Sequence, residues 1–427
     1  VVTRREALAT GVGALGAALL GATADAANAA TPDVASGTQG AAPSSAPPPP
    51  AQPPTFSDGR ALGAPTRAIG ARDVHADALR TPTGDTAGSS LTPLEKLTGT
   101  ITPSDLHFER HHAGVPTLDP ATHTLTLHGL VDRPLVFTLA ELQRLPQVTR
   151  TYFIECSGNS RNAYRAPEPT MTAQRVAGLF SNSEWTGVRL ATLFAQVGVQ
   201  RNATWFLAEG ADPCLMARSI PIAKGWEDAL VVWAQNGEPL RPEQGYPLRL
   251  LLPGWEGNTS IKWLRRLEFG TAPWQTRWET SKYTDPLVDG TARQFSFDID
   301  AKSLITSPSH PTVLGAQGWY PISGLAWSGR GRITKVEVST DNGRTWQRAE
   351  LHGEPQPKAA VRFQHMWQFT GSESVLLSRA TDETDYVQPT RAQLIAVRGL
   401  GTDFHFNHIV GWRVDAAGAV TFAGASE

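Results

Sequence analysis

The chain has 427 residues, 40% of them hydrophobic and 18% charged, with a formal net charge of −2. That length suits two or three domains, each able to bury its own core, and the near-neutral charge supplies no overall field for nucleic acid or an anionic membrane. Two cysteines exclude a disulfide framework, while 13 tryptophans and 32 prolines point to a loop-rich, substantially β protein.

In chain order, residues 1–29 read as an export signal. Arg4 and Arg5 precede an Ala- and Leu-rich run, and Ala27-Asn28-Ala29 offers a small-residue cleavage site. The paired arginines indicate the twin-arginine route, although Ala7 stands where that motif usually has phenylalanine; an ordinary secretory signal is the alternative. The mature chain is then expected in the periplasm. No later apolar run approaches the roughly 20 residues needed to span a bilayer. Residues 30–90 include "AAPSSAPPPPAQPP" and have too few large apolar side chains to offset the entropy of ordering. They are expected to form a disordered tether.

Residues 91–286 carry mixed signals. "HTLTLHGL" alternates as a half-buried strand does, and "TLAELQRL" predicts a short helix with Thr138 as its N-cap. "VTRTYFIEC" predicts a strand ending at Cys156. "VRLATLFAQVG" has helical spacing with Gly198 as C-cap, "ALVVWAQNGEPL" carries an Asn-Gly hairpin signal, and "YPLRLLLPG" and "IKWLRRLEF" read as strands. This is mixed α+β, without a βαβ rhythm or a Gly-rich dinucleotide loop. Residues 287–427 lack helical periodicity. Short strand-like runs such as "VLLSRATD" recur between turns, which predicts a β-sandwich of immunoglobulin-like form.

Cys156 opens a Ser-Gly-Asn turn with Arg161 and Arg165 close behind. By residue chemistry alone four roles stay open: a small buried hydrophobe, a nucleophile, half of a disulfide with Cys214, or a metal ligand whose thiolate form neighbouring cations would favour. His107, His111 and His112 suggest zinc less well, because Gly114 and Pro116 argue against a helix aligning them. "STDNGRTW" matches a sialidase-type Asp-box but occurs once, so a hairpin turn explains it better. His405 and His408 in "HFNH" are expected to be solvated or core residues, and the Trp-rich run "WLRRLEFGTAPWQTRW" to be packed core and domain junction.

From about Leu91 onward the chain resembles the sulfite oxidase family of molybdenum enzymes, and within it the catalytic subunits of bacterial Sox-type sulfite and sulfane dehydrogenases. The ordered set that carries the resemblance includes "GTITPSDLHFERHHAGVP", "FIECSGNSR", "YPLRLLLPGWEGNTSIKWLRRLEF", "WETSKYTDP", "SGLAWSGRGRITKVEVSTDNG" and "RATDETDYVQPTRAQLIAVRG". The resemblance implies a molybdopterin-binding domain followed by an immunoglobulin-like dimerisation domain, hence a homodimer. It implies that Cys156 ligates molybdenum. It further implies that Phe108, Arg110, His111 and His112 form a loop holding the cofactor, with Arg110 facing substrate. Gln244, Arg249, Ser260, Ile261 and Lys262 fall where the family binds the pterin and its phosphate, Gln244 replacing a histidine of vertebrate members, and Asp212 is near the position of a pterin-contacting aspartate. Tyr283, Arg161 and Arg413 match substrate-pocket residues.

The implied reaction is oxidation of sulfite to sulfate with two electrons delivered to molybdenum. Arg110 favours sulfite, because the sulfane dehydrogenases of the family lack an arginine there. A sulfane dehydrogenase acting on a carrier-bound persulfide is the alternative. A secreted, non-enzymatic β-sandwich binding protein is the second. The chain has no haem attachment motif, and two isolated cysteines do not hold an iron–sulfur cluster in the usual way, so the electron acceptor is expected to be a separate c-type cytochrome.

Overall fold

The computed structural model describes residues 66–425 apart from 74 and 288. The expected export signal and residues 30–65 of the expected tether lie outside the described residues. Arg72–Glu427 is one compact unit; residues 66–71 belong to another and contain no helix or strand. No helix among the described residues is long and apolar enough to cross a membrane.

Ordered structure begins before residue 90, against the expected tether boundary. Thr81–Thr83 pairs antiparallel with Ser89–Leu91, which pairs with Glu109–Arg110. Small polar residues manage this because backbone groups do the holding. Nε2 of Gln174 donates to the carbonyls of Leu79 and Leu91, and Arg80 forms an ion pair with Glu109 at 3.0 Å.

Two sheets follow, and the helices between them are short. One runs in the order Glu238–Pro239, Leu230–Gln235, Phe180–Arg189, Gln147–Glu155, with Arg249–Leu251 also paired to Leu230–Gln235. The other runs Leu135–Thr138, Thr124–Gly129, Leu264–Gly270, Trp205–Gly210, Ala217–Pro221. The pairing of Thr124–Gly129 with Leu264–Gly270 is parallel, and the other pairings in these sheets are antiparallel. Local sequence accounts for the ends. Thr138 caps Leu139–Leu142 through a reciprocal bond with Glu141, a device worth about 1 kcal/mol. Gly198, at φ +66°, ends Leu190–Val197. Asn236 and Gly237, at φ +50° and +77°, turn the hairpin between Leu230–Gln235 and Glu238–Pro239.

The C-terminal half is an immunoglobulin-like sandwich. A sheet of Lys302–Ser307, Gly318–Trp327, Val361–Phe369 and Glu350–His352 accompanies one of Gln347–Arg348, Ile333–Ser339, Ser374–Asp382, Val410–Val414 and Val420–Ala425. Alternation puts Val336, Val338, Phe363, Leu376 and Trp412 into the core. The single "STDNGRTW" run is a turn: Asp341 accepts from the backbone N–H and the hydroxyl of Thr345 at 2.9 and 2.6 Å.

The two halves share one core. Phe153, Ala163, Met171 and Phe180 belong to the same apolar cluster as Trp327 and Ile305, and the Phe180 ring stacks on Trp327 with centroids 3.9 Å apart. Burying each such side chain contributes about 1.5–3 kcal/mol. The break in composition near residue 286 therefore marks a change of architecture, not a gap between independently packed bodies.

Candidate active site

Gln147–Glu155 is buried only at its end, where Phe153, Ile154 and Glu155 turn inward. Cys156 comes next. Its N–H donates to the carbonyl of Leu179 at 3.0 Å, and its own carbonyl accepts from Asn159 N–H at 2.9 Å, closing the Ser-Gly-Asn turn. Ser160 takes φ +69°, and the helix Arg161–Arg165 starts there. Gly257 allows the next layer to approach: a Cβ there would sit 2.9 Å from the Glu155 carbonyl. Cys156 and Cys214 are both free thiols. Cys214 donates to Asp212 at 2.7 Å instead of forming a disulfide.

Cys156 faces a cleft of about 670 Å³ whose lining includes Phe108, Arg110, His111, His112, Asp212, Gln244, Arg249, Ser260, Ile261, Lys262 and Tyr283. Twelve of the fourteen residues singled out in the sequence, Cys156 included, thus meet in one place. His107, Glu109, Met216, Asn258 and Trp263 join them.

The histidine loop is fixed residue by residue. Phe108 N–H donates to Ser181 Oγ at 3.0 Å, and its carbonyl accepts from Gln244 Nε2 at 2.9 Å. His111 sits between Glu109 (2.6 Å from Nε2) and Lys262 (2.8 Å from Nδ1), so a neutral ring carries its proton on Nε2 and accepts at Nδ1. His112 faces Arg110 Nη2 through Nδ1 (3.4 Å) and the Tyr283 hydroxyl through Nε2 (2.7 Å). Burial, helped by Arg110, lowers the His112 pKa to about 4. Neutral His112 therefore donates from Nε2 to the Tyr283 oxygen, leaving the phenolic proton free to point elsewhere. Burial pushes that phenol above its ordinary value, so it stays protonated. The three histidines serve three separate partners, with His107 Nδ1 2.9 Å from the Phe108 carbonyl.

On the floor of the cleft Arg249 has no carboxylate partner among the described residues, while Lys262 has Glu109 and Asp212 nearby. Arg249 is 4% exposed, reaches Gln244 at 3.2 Å and lies over the Trp185 ring; burial pulls its pKa to about 9. Burial, with Arg249 beside it, lowers Lys262 well below the ordinary ammonium value. Arg249 Nε and His107 Nε2 are buried without hydrogen-bond partners among the described residues. Each unsatisfied group costs about 1–3 kcal/mol. Arg249 Nε is a donor, which an anionic ligand would satisfy, whereas neutral His107 donates from Nδ1 to the Phe108 carbonyl and leaves Nε2 as an acceptor for a ligand N–H. At the other end, burial raises the Cys156 thiol despite the Gly158 N–H, Arg110 and Arg161. The expectation that neighbouring cations favour the thiolate is thus corrected for the protein alone. A coordinated metal ion deprotonates such a thiol outright.

Two arginines stand apart from the cleft. Arg161 lines a wider mouth shared with Arg110, Cys156, Tyr283, Arg175 and Phe404, and its Nη2 donates to the Asp403 carbonyl at 2.9 Å. Arg413 lines neither space. It is the outward residue of Val410–Val414 and pairs with exposed Glu373 at 2.8 Å, because strand alternation turns its neighbours Trp412 and Val414 into the core. The arginine behind Tyr283 is instead Arg218, fully buried, with its guanidinium 5.4 Å from the ring centre. It pairs with Glu256 at 3.1 Å and Glu279 at 3.6 Å, and Nε and Nη1 have no hydrogen-bond partner. Burial works against the Glu256 carboxylate, but Arg218 and His405 outweigh it and hold its pKa below the usual value. An arginine among the apolar residues of "ARSIP" was the available signal for Arg218. His405 and His408 are both buried.

The family comparisons divide the chain as its architecture does. Residues 112–278 match the oxidoreductase molybdopterin binding domain, and residues 293–411 match the Mo-co oxidoreductase dimerisation domain. Sulfite oxidase of Gallus gallus is 30% identical over 331 residues, covering 71% of this chain and 72% of that protein. The chain belongs to the sulfite oxidase family of molybdenum enzymes. Mitochondrial sulfite oxidase of Rattus norvegicus is 32% identical over 344 residues, 74% of this chain; the chain spans only 63% of that longer relative. The crystal structure of the sulfane dehydrogenase SoxCD from Paracoccus pantotrophus superimposes with TM-score 0.78 at 40% identity, covering 87% of this chain and 99% of that one. The family's cofactor is molybdenum held by molybdopterin, and the cleft fits it: a thiol at one end, and at the other the orphaned Arg249 Nε donor, the His107 Nε2 acceptor and the Lys262 ammonium. Membership in this oxidoreductase family sets aside the reading as a binding module. Tyr283 lies between the two matched segments and Phe108–His111 before the first, so part of the cleft comes from outside both.

Proposed function

We propose that the chain is a periplasmic sulfite dehydrogenase that oxidises sulfite to sulfate and passes electrons to a separate c-type cytochrome, working as a homodimer. The observation that carries this reading is Arg110, whose guanidinium lines both the inner cleft with Cys156 and the mouth leading to it. Nη1 is occupied by the Gly88 and His111 carbonyls and Nη2 reaches His112. Among the described residues the Nε–H and the second Nη2–H have no partner, which leaves them for an oxyanion. Such a charge-assisted bond is worth about 1.5–3 kcal/mol.

Cys156 would ligate the metal, and Arg249, Lys262, His107 and Gln244 would hold the pterin and its phosphate. The cofactor supplies the two-electron redox step. The protein's share is binding and orientation: Arg110 attracts the oxyanion, Tyr283 presents a phenolic proton, and Trp278 and Phe404, with ring centres 6.3 and 5.2 Å from that of Tyr283, shield it from water. Overall, sulfite and water become sulfate, two protons and two electrons, and the electrons leave to the cytochrome.

A second reading, oxidation of a carrier-bound persulfide, is favoured by the second opening onto Cys156, lined by Arg110, Arg161, Arg175 and Phe404, and by the likeness to the sulfane dehydrogenase structure. Sulfite-dependent reduction of cytochrome c, with molybdenum quantified in the same preparation, tests the first reading. Activity confined to a persulfide-loaded carrier protein would transfer the assignment to the second. About one molybdenum per chain, lost in Cys156→Ser, is expected under both.

A further inference from the structure

Glu155, the residue before Cys156, is 3% exposed, and its carboxylate is enclosed by donors. Oε1 accepts from Lys302 Nζ at 2.8 Å and Asn159 Nδ2 at 2.9 Å, and Oε2 accepts from Trp327 Nε1 at 2.6 Å. Lys302, also 3% exposed, donates to Ser160 Oγ at 2.8 Å. On the far side of the cysteine, the Ser157 carbonyl accepts from His405 N–H at 2.7 Å. Lys302, Trp327 and His405 all belong to the C-terminal half. The turn that bears Cys156 is thus held on both flanks by a part of the chain that contributes nothing to the inner cleft's lining among the described residues.

Stability alone is a weak reason for this arrangement. A buried ion pair loses in desolvation much of what it gains in attraction, and an apolar pair of equal volume often does as well. What an ion pair with three donors does provide is direction. The carboxylate accepts from three separate elements, and Lys302 also holds the hydroxyl of Ser160, whose φ of +69° is unfavourable for a residue with a side chain. Between these two anchors the backbone of residues 155–160 has little freedom, and with it the Cα–Cβ direction of Cys156.

We propose that Lys302 and Trp327 are positioning residues of the metal site: by fixing the Glu155 carboxylate they aim Cys156 Sγ into the cleft. The C-terminal sandwich then serves the metal site through the cysteine turn, as well as any partner subunit. This inference rests on Cys156 being the molybdenum ligand.

The test uses the full chain in a Cys214→Ala background, where Cys156 is the only thiol. Trp327→Phe deletes the Nε1 donor and keeps an aromatic ring against Phe180. Glu155→Gln with Lys302→Met removes both buried charges together, so neither is left unpaired. Two readouts apply: the rate at which iodoacetamide alkylates Cys156 in cofactor-free protein, and the sulfur-to-molybdenum charge-transfer absorption with metal content in loaded protein. Faster alkylation, a shifted absorption band and metal affinity weakened by roughly 10- to 100-fold, with the fold intact, are expected. Parental alkylation rate, absorption and metal content in folded Trp327→Phe would overturn the proposal, even if the double variant did not fold. Retention of about one molybdenum per chain by Cys156→Ser is a different result and would instead remove the ligand assignment beneath it.

Discussion

The Tyr283 hydroxyl and His112 Nε2 lie 2.7 Å apart, although 171 residues separate them in sequence. Tyr283→Phe deletes the acceptor and leaves a half-buried N–H of His112 without its partner, at a stability cost below the roughly 1–3 kcal/mol of a fully buried one. With the phenolic proton also gone, kcat/KM for sulfite should fall by about one to two powers of ten at unchanged molybdenum content. Steady-state kinetics normalised to metal checks this; unchanged kcat/KM would remove Tyr283 from the reaction.

Arg110 and Arg413 make a matched pair. Arg110→Gln should raise KM for sulfite and lower kcat/KM about 10- to 100-fold, the value of one charge-assisted contact. Arg413→Ala removes only an exposed pair with Glu373, and such pairs contribute about 0–1 kcal/mol. Kinetics within error of the parent are expected for it. Equal losses in the two variants would contradict the outward placement of Arg413.

Arg249→Met separates cofactor binding from folding. Its loss removes a buried charge with Nε unpartnered but also frees Gln244 Oε1, so these effects offset and the cofactor-free variant should melt within a few degrees of the parent, while the cofactor-loaded fraction falls sharply. Thermal melts of both forms, with pterin released and quantified, decide it. A destabilised cofactor-free variant with normal pterin content would reverse the assignment.

Acid should destabilise the protein beginning just below pH 6.5. Burial lowers His107 to about 3, His112 to about 4 and His408 to about 3, from the ordinary imidazole value of 6.5. The unfolded chain binds protons at these rings first, so stability falls with pH between about 6.5 and 3. Each pKa unit is worth about 1.4 kcal/mol at most, so the two fully buried rings, His107 and His408, carry most of the effect, and half-buried His112, screened by solvent, adds less. His408→Leu, which replaces a ring whose nitrogens both lack partners, should flatten the melting-temperature profile across that range. A profile level from pH 7 to 4 in the parent would refute the placement of these rings.

Local chemistry made much of this molecule readable in advance. The strand ending at Cys156, the Thr138 cap, the Gly198 stop and the Asn236-Gly237 hairpin each depend on a few adjacent residues. Phe108, Arg110, His112 and Lys262 were reached through resemblance, since nothing in their spacing announces a cleft. Three features escaped because their partners are remote. Residues 81–91 are ordered by backbone pairing and by Gln174, which composition does not register. Arg218 is balanced by Glu256 and Glu279, and Glu155 by Lys302 and Trp327, so neither buried charge has a local signature. Arg413 was misplaced because a strand's alternation decides which face a residue occupies, and a one-position ambiguity reverses it.

The stacking of Phe180 on Trp327 bears on how such a protein can be rebuilt. Because one apolar interior serves both halves, heat should melt them in a single calorimetric transition. Exchanging the sandwich for a relative's would then sever a core, not a hinge. Grafts of that kind should retain their secondary structure yet lose cooperativity until the facing residues on both sides of the seam are exchanged together.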